Sequence, residues 1–259
     1  MGIYNCASTL VEALDSLYAQ TYQNFKIILC DDGSVDNTYA VAKEYAERHD
    51  NIVLIHNEQN CGLNLTLNHC LEYVDTEYVA RMDGDDISLP TRFEKEINFL
   101  DAHPEYAIVS CPMIYFDEYG EFRIGKSIEH PQKMDFIHGT PICHAPCMVR
   151  TDAIISVGGY SVDKKLLRVE DYHLWMKLYS KGYKAYNIQE PLYKMRDDRN
   201  AQNRRTWINR KNEMYVRYIG FKMLNLPCYT RAFILRPLLA YIAPRWAYQL
   251  YHRKPKIRR

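Results

Sequence analysis

An apolar, strand-like run that ends in a polar turn and is followed by an amphipathic helix recurs three times before His103, and this alternation commits the chain to an α/β architecture. Phe25 to Cys30 runs into Asp31-Asp32-Gly33-Ser34, and the capping residues Asp36, Asn37 and Thr38 lead into a helix carrying Ala40, Val41, Tyr45 and Ala46. Ile52 to Ile55 is followed by the turn Asn60-Cys61-Gly62 and by a helix marked by Leu63, Leu67, Cys70 and Leu71. Tyr78 to Met82 ends in Asp83-Gly84-Asp85-Asp86, after which Pro90 opens a helix reaching to about His103. A first helix precedes the series: Thr9 to Glu12 have capping-box spacing, and Leu10, Leu14 and Leu17 recur at helical intervals as far as Gln20. Such alternation predicts a mostly parallel sheet with helices on both faces, and sheets of that kind bind ligands beyond the carboxyl ends of their strands. Both acidic clusters fall at such ends.

The pattern then loosens. After the short strand Ala107 to Ser110, aromatic-rich pieces around Met113 to Phe122 predict antiparallel strands and loops. Regularity returns with a strand at Cys147 to Val149, a short helix capped by Thr151, the breaker Gly158-Gly159-Tyr160, and a helix from Glu170 to Lys181 stopped by Gly182. Tyr183 to Ile188 and Leu192 to Met195 complete the strand-like material. From Asn200 onward the chain is basic and aromatic, and Pro227, Pro237 and Pro244 divide it into short helical pieces.

With 259 residues, 47% of them hydrophobic, the chain can bury one full α/β core and a short appendage. Its 33 Lys plus Arg nearly balance 32 Asp plus Glu, so it has no polyanion signature and no nucleic-acid partner is expected. Eight cysteines never form a Cys-x-x-Cys pair, which fits buried thiols in a reducing cytosol. Cys143, His144 and Cys147 have the spacing of half a zinc site, without a second half. The nine histidines, His138, His144 and His173 among them, are expected mostly in loops or at the surface, His144 in an acceptor wall. No window approaches a membrane span, and no signal segment opens the sequence.

Three carboxylates within the four residues Asp83 to Asp86 repel one another unless a cation sits among them. A hard divalent ion, Mg²⁺ or Mn²⁺, takes one or two protein carboxylates and completes its shell with water and phosphate oxygens. The plain alternative is a solvated acidic turn capping the next helix. Asp31 and Asp32 are equally at home in an ordinary loop or in accepting hydrogen bonds from a nucleobase and ribose. Glu170-Asp171 is either an acid pair stabilised at a helix start or the seat of a general base.

Taken together these residues resemble the inverting family 2 glycosyltransferases. Five local patterns carry the likeness over residues 1 to 195, in order: Gly2-Ile3-Tyr4-Asn5 with Gln20-Thr21-Tyr22; Asp31 to Thr38; Asn60-Cys61-Gly62; Asp83-Gly84-Asp85-Asp86 to Pro90; and Gly158-Gly159-Tyr160 leading to Glu170-Asp171. The resemblance implies a Rossmann-like nucleotide-diphospho-sugar transferase fold, the glycosyltransferase A type. It implies a catalytic domain at 1–199, with a nucleotide-binding half over 1–112 and an acceptor half over 113–199. Residues 200–259 would be a basic amphipathic helical extension.

Carried over by position, the likeness puts Asp32, helped by Asp31 and the stretch Gly2 to Asn5, with Tyr4 in it, on the base and ribose, with Asn60 on the same side. Asp83 would bind ribose or metal, Asp85 would be the principal ligand of Mg²⁺ or Mn²⁺, and Asp86 would lie adjacent. Asp171 would take the proton of an acceptor hydroxyl during a single inverting displacement. The implied reaction moves one hexosyl or N-acetylhexosaminyl unit from a UDP-linked or other nucleotide sugar onto a glycan or lipid-linked acceptor. The implied setting is bacterial capsule, lipopolysaccharide or exopolysaccharide assembly, in the cytoplasm at the face of the inner membrane.

The chain departs from the family pattern in three places. Met1 stands where the family already has most of its first strand, which implies a trimmed or short strand. Arg196 stands near a usual His and could pair with the diphosphate. Gln202 to Trp207 has one residue too many for the Gln-x-x-Arg-Trp signature of processive synthases, which favours single transfer. In the tail, Phe233 to Ile242 and Trp246, Tyr248 and Tyr251 beside Arg245, Arg253 and Lys254 suit either a membrane interface or a helix docked on the catalytic domain. Two other functions fit parts of the pattern: an inactive sugar-nucleotide-binding scaffold, or a nucleotidyltransferase making nucleotide sugars, for which the glycine-rich basic loop is missing.

Overall fold

A computed structural model of the chain describes residues 1–197 and 206–242. In order the elements are β1 (Gly2–Ile3), α1 (Ala7–Tyr18), β2 (Ile27–Asp31), α2 (Thr38–Arg48), β3 (Ile52–His56), α3 (Leu63–Leu71), β4 (Tyr78–Ala80), β5 (Ile87–Ser88), α4 (Arg92–Ala102) and β6 (Ile108–Ser110). They continue with β7 (Met113–Asp117), β8 (Gly120–Ile124), β9 (Met148–Arg150), α5 (Thr151–Ser156), α6 (Glu170–Ser180), β10 (Ala185–Asn187), β11 (Tyr193–Arg196), α7 (Trp207–Met223) and α8 (Arg236–Ile242).

The first three strands form a wholly parallel sheet in the order β1-β2-β3, the doubly wound pattern expected of the amino-terminal half. Two mixed sheets follow. In β10-β6-β9-β4, β10 and β6 are parallel while β9 runs against both its neighbours. In β5-β11-β7-β8, β11 and β7 are parallel, and β7 and β8 make the antiparallel hairpin anticipated around Met113 to Phe122.

Three local expectations require correction. α1 begins at Ala7, so Thr9 lies inside its first turn and its hydroxyl donates to the carbonyls of Cys6 and Gly84 instead of capping. Thr151 is likewise the first helical residue of α5 and not its cap. Pro237 does not divide the tail: it sits in the first turn of α8, where a proline's missing N–H costs nothing, and α7 runs unbroken for 17 residues. Pro244 and the tail from 243 onward, including Arg245, Trp246, Tyr248, Tyr251, Arg253 and Lys254, lie outside the described residues, as do Gln202 to Arg205.

Two apolar cores hold the layers. One gathers Leu10, Leu14 and Leu17 of α1 with Ile3, Leu29 and Leu100, and Met82 from the segment after β4. The other surrounds Leu174, Trp175 and Leu178 of α6, and α7 adds Val216 and Phe221 to it. α7 is fastened further by Asn212, which donates to the Leu167 carbonyl at 3.0 Å, and by Arg217, which donates to the Ile137 carbonyl at 2.7 Å. Beneath the acidic turn, α4 presents a fully buried ion pair, Arg92 Nε 3.2 Å from Glu96. Arg92 also donates to the Arg81 carbonyl at 2.8 Å, tying α4 to the end of β4.

Candidate active site

Loops at the carboxyl ends of β1, β2 and β3 converge on one rim. Asp32 is buried and its carboxylate accepts three hydrogen bonds, from Asn57 at 3.0 Å and from the main-chain N–H groups of Cys61 and Gly62, each at 2.9 Å. It therefore fixes the Asn60-Cys61-Gly62 turn against β2. Asp31, also buried, accepts from Ser34 N at 3.2 Å and lies 2.9 Å from His56 Nδ1, while its other oxygen, Oδ1, has no partner. Asn5 sits at φ +48 and accepts from Val35 N, and its own N–H donates to the Ser34 hydroxyl, so the loop after β1 is sewn to the loop after β2. Gly33 closes the rim. At φ +67, a Cβ there would lie 2.6 Å from the main chain of Gln59, a distance no side chain tolerates. Gly2 is the first residue of β1, in register with Cys30, while Tyr4 and Asn60 stand exposed at the edge of the rim.

Across from this rim, Asp83, Asp85 and Asp86 bring carboxylate oxygens to within 4.8 Å of one another; no other such group of acids, histidines and cysteines occurs among the described residues. The half zinc site is thus not assembled, and His144 instead places Nε2 2.7 Å from the Tyr160 hydroxyl. The turn is held tightly: a Cβ on Gly84 would meet the Cys6 sulfur at 2.7 Å. Asp86 is buried and accepts from the Tyr193 hydroxyl at 2.9 Å and from Arg196 N at 2.8 Å. Arg81 pairs with Asp83. Asp85 is exposed.

Loss of part of its hydration among the neighbouring groups, then repulsion from Asp83, pushes the Asp85 carboxyl above its ordinary range. The same causes, with Asp85 added, push Asp86 up to about 7. Such crowding is what a divalent cation relieves, and oxygen-only ligands suit Mg²⁺ or Mn²⁺, so the residues fit the ion. Arg196 is near: its Nε donates to the Asp85 carbonyl at 3.0 Å, its guanidinium pairs with Glu12 and it lies over the Phe116 ring.

Asp171 opens α6 and lines a cavity of about 700 Å³ together with Gly139, Arg168, Asn209 and Arg210. Burial and the neighbouring Glu170 raise its carboxyl to about 6, which leaves it ionised at neutral pH yet basic enough to share a proton. Beside the three-carboxylate turn are residues that the sequence did not single out. Arg81 pairs with Asp83 and its charge also acts on Asp171 and on His144, whose imidazole burial keeps neutral. Tyr193 is fully buried, donates to Asp86 and accepts from Asp83 N at 3.2 Å. A charge inside the apolar run Tyr78 to Met82 was the available signal for Arg81. For Tyr193 there was none, because it reads as one more apolar strand residue. His173, expected near the surface, is instead buried on α6.

A parallel sheet of three strands joined to two mixed sheets, with acidic turns at the ends of β2 and β4, has the glycosyltransferase A fold. Comparison with solved structures agrees: S. aureus TarS in complex with UDP-GlcNAc superposes with a TM-score of 0.74 over 98% of this chain and 75% of that one, at 17% identity. The family model of glycosyl transferase family 2 matches residues 1–158, and the chain belongs to that family. Among its relatives is the Bacillus subtilis (strain 168) protein EpsE, named as a glycosyltransferase, 40% identical over 98% of this chain and 92% of that protein. The amylovoran biosynthesis glycosyltransferase AmsE of Erwinia amylovora is 33% identical over 88% of this chain and 87% of its own length.

Proposed function

We propose that this glycosyltransferase inverts configuration as it moves one sugar from a UDP-linked donor to the hydroxyl of a glycan or lipid-linked acceptor, in the assembly of a bacterial surface polysaccharide. The observation that carries the reading is a crowded three-carboxylate turn together with a separate, raised carboxyl at Asp171, which lines a cavity with Arg168 and Arg210. The polysaccharide setting follows the name of AmsE, and the uridine base and hexosyl or N-acetylhexosaminyl class follow the ligand of TarS.

In this reading the rim formed by Gly2, Tyr4, Asn5, Asp31, Asp32 and Asn60 receives the base and ribose. Because Asp32 is committed to the Asn60 loop, its share is to hold that loop in place, and the unpartnered Oδ1 of Asp31 is the acceptor left over for a ligand N–H or hydroxyl. Asp83, Asp85 and Asp86 would hold Mg²⁺ or Mn²⁺, with Asp85 the most accessible, and the ion would supply positive charge to the departing diphosphate oxygens. Arg196 would add a fixed cation at the same edge by exchanging Glu12 for phosphate. Asp171 accepts the acceptor's proton as the hydroxyl oxygen attacks the anomeric carbon opposite the diphosphate, and positioning matters more than basicity because the proton leaves late.

The catalytic domain would comprise residues 1–199, with its nucleotide half over 1–112 and its acceptor half over 113–199. The extension over 200–259 would rest on a membrane surface from the cytoplasmic side. Trp207, Ile208, Leu235, Leu239 and Ile242 are exposed there, close in sequence to the exposed Lys211, Lys222 and Arg231, a composition suited to an anionic interface. No described helix is long and apolar enough to cross a membrane.

The test is release of nucleoside diphosphate from a panel of nucleotide sugars, with Mg²⁺, Mn²⁺ or chelator, comparing the native chain with Asp171→Asn. Release that needs the metal, rises with pH through about 6 as Asp171 ionises, and falls about 10³-fold in the variant is expected. Donor binding without turnover under every acceptor would instead establish a scaffold, and formation of a nucleotide sugar from a nucleoside triphosphate and a sugar 1-phosphate, with release of pyrophosphate, a nucleotidyltransferase.

A further inference from the structure

The cavity of about 700 Å³ beside Asp171 holds more positive charge than proton transfer from a neutral sugar requires. Arg168, Arg210 and Arg217 border it, against the carboxylates of Asp171 and Glu213. Glu213 is already shared: one oxygen lies 2.6 Å from Arg210 Nη1 and the other 3.2 Å from Arg217 Nη2. One carboxylate thus answers two guanidiniums, and among the described residues no ion pair joins Asp171 to any of the three. The Nε groups of Arg210 and Arg217 are closed off from water and have no acceptor, so both side chains keep donor capacity that the fold leaves unmet.

Arg168 is the clearest case. It is exposed, and among the described residues its guanidinium has no hydrogen bond and no ion pair. Its backbone sits at φ +68, in the left-handed region that an arginine adopts only under constraint. A long cation held in a strained backbone without a partner adds nothing to the fold, and its place on the cavity wall suits a ligand. The start of α7 adds to the same potential: Thr206 caps this 17-residue helix, its first turn carries no acid, and Thr206 and Arg210 both border the cavity. Asp83, Asp85, Asp86 and Arg196 do not border it, so an anion held here is not a donor diphosphate at the three-carboxylate turn.

We propose that Arg168 and Arg210, backed by Arg217 and the start of α7, form an anion subsite that takes a phosphate or diphosphate ester on the acceptor sugar. The inference rests on the acceptor role given to Asp171 above and names the acceptor's class, a phosphate-bearing sugar in place of a neutral glycan end. Guanidiniums match phosphate oxygens through paired, parallel N–H bonds, which fix direction as well as charge. With the phosphate fixed there, a hydroxyl elsewhere on the same sugar is carried to Asp171 within one cavity.

The experiment has two arms, read on the native chain, Arg168→Gly, Arg168→Lys and Arg210→Gln. Glycine suits the backbone at φ +68 and the Arg168 side chain has no partner to lose, so Arg168→Gly is expected to fold. In the first arm inorganic pyrophosphate is titrated by calorimetry in the presence of chelator. Binding that weakens at least about tenfold in Arg168→Gly and Arg210→Gln, and is partly restored in Arg168→Lys, is expected. No binding to the native chain, or equal binding to all four chains, would overturn the subsite. In the second arm hexoses and N-acetylhexosamines are offered as neutral octyl glycosides, as octyl glycosyl diphosphates and as octyl glycuronides. The native kcat/KM is expected to favour the diphosphates, and Arg168→Gly to lower that preference at least about tenfold. A preference for the glycuronides would assign the subsite to a carboxylate and overturn the phosphate. An equal loss with all three forms would overturn its link to the acceptor's charge. Turnover of none of them would strike the transfer reading, and pyrophosphate binding would still decide the subsite.

Discussion

Two acidic turns face each other across this site, and they are built on opposite principles. At the end of β2, Asp32 is surrounded by donors: Asn57 and the N–H groups of Cys61 and Gly62 satisfy its carboxylate and make it part of the scaffold. At the end of β4, Asp83, Asp85 and Asp86 are surrounded mainly by one another, with Arg81 and Tyr193 as partial relief. A carboxylate that accepts several main-chain N–H bonds stabilises the fold it sits in. Carboxylates crowded together hold free energy that a cation can recover. Similar residue strings therefore serve as a staple in one loop and, in the function proposed above, as a ligand set in the other.

The comparison can be broken by exchanging the outcomes. Asp85→Ala is expected to lower metal-dependent turnover about 10³-fold while leaving the metal-free Tm unchanged or slightly higher, because repulsion is removed and no internal hydrogen bond is lost. A lower Tm would show that Asp85 too is scaffold. Asp32→Ala should do the reverse: two main-chain N–H groups lose their acceptor, a cost of about 3–4 kcal/mol that lowers Tm by about 10 °C in thermal unfolding. An unaltered Tm would make Asp32 a ligand-binding residue alone.

Titration with Mg²⁺ or Mn²⁺ sharpens the contrast. At about a hundred times the dissociation constant, the ion should add about 2.7 kcal/mol to the native chain and nothing to Asp85→Ala, measured as the shift in Tm. The dependence on pH is a further test. Asp86 titrates in the folded chain near 7, above its ordinary 3.8, so the folded state binds the extra proton and metal-free stability falls as pH rises across that interval. Saturating metal should flatten this slope, and a slope of opposite sign would mean that the carboxyls are not crowded in solution.

A buried pair elsewhere follows a third rule. Arg92 and Glu96 are both fully buried, so Glu96→Ala would leave an uncompensated guanidinium under the acidic turn and should destabilise by about 3–5 kcal/mol in denaturant unfolding.

The order of strands and helices, both acidic turns and the candidate base Asp171 were legible from residue pattern, since period, turn chemistry and strand-end position are local properties. Cap positions were less so. Thr9 and Thr151 have the right chemistry for caps, but packing starts each helix earlier and puts both inside a first turn. The partners of Tyr193 and Arg196 could not be foreseen, because Asp85 and Asp86 lie more than a hundred residues away in the chain. By itself the sequence determined that carboxylates would stand at strand ends. The crowding of Asp83, Asp85 and Asp86 is local, but only the tertiary structure decided that Asp32 meets main-chain donors, because hydrogen bonds act over a few ångströms and Cys61 and Gly62 come from the far side of β3.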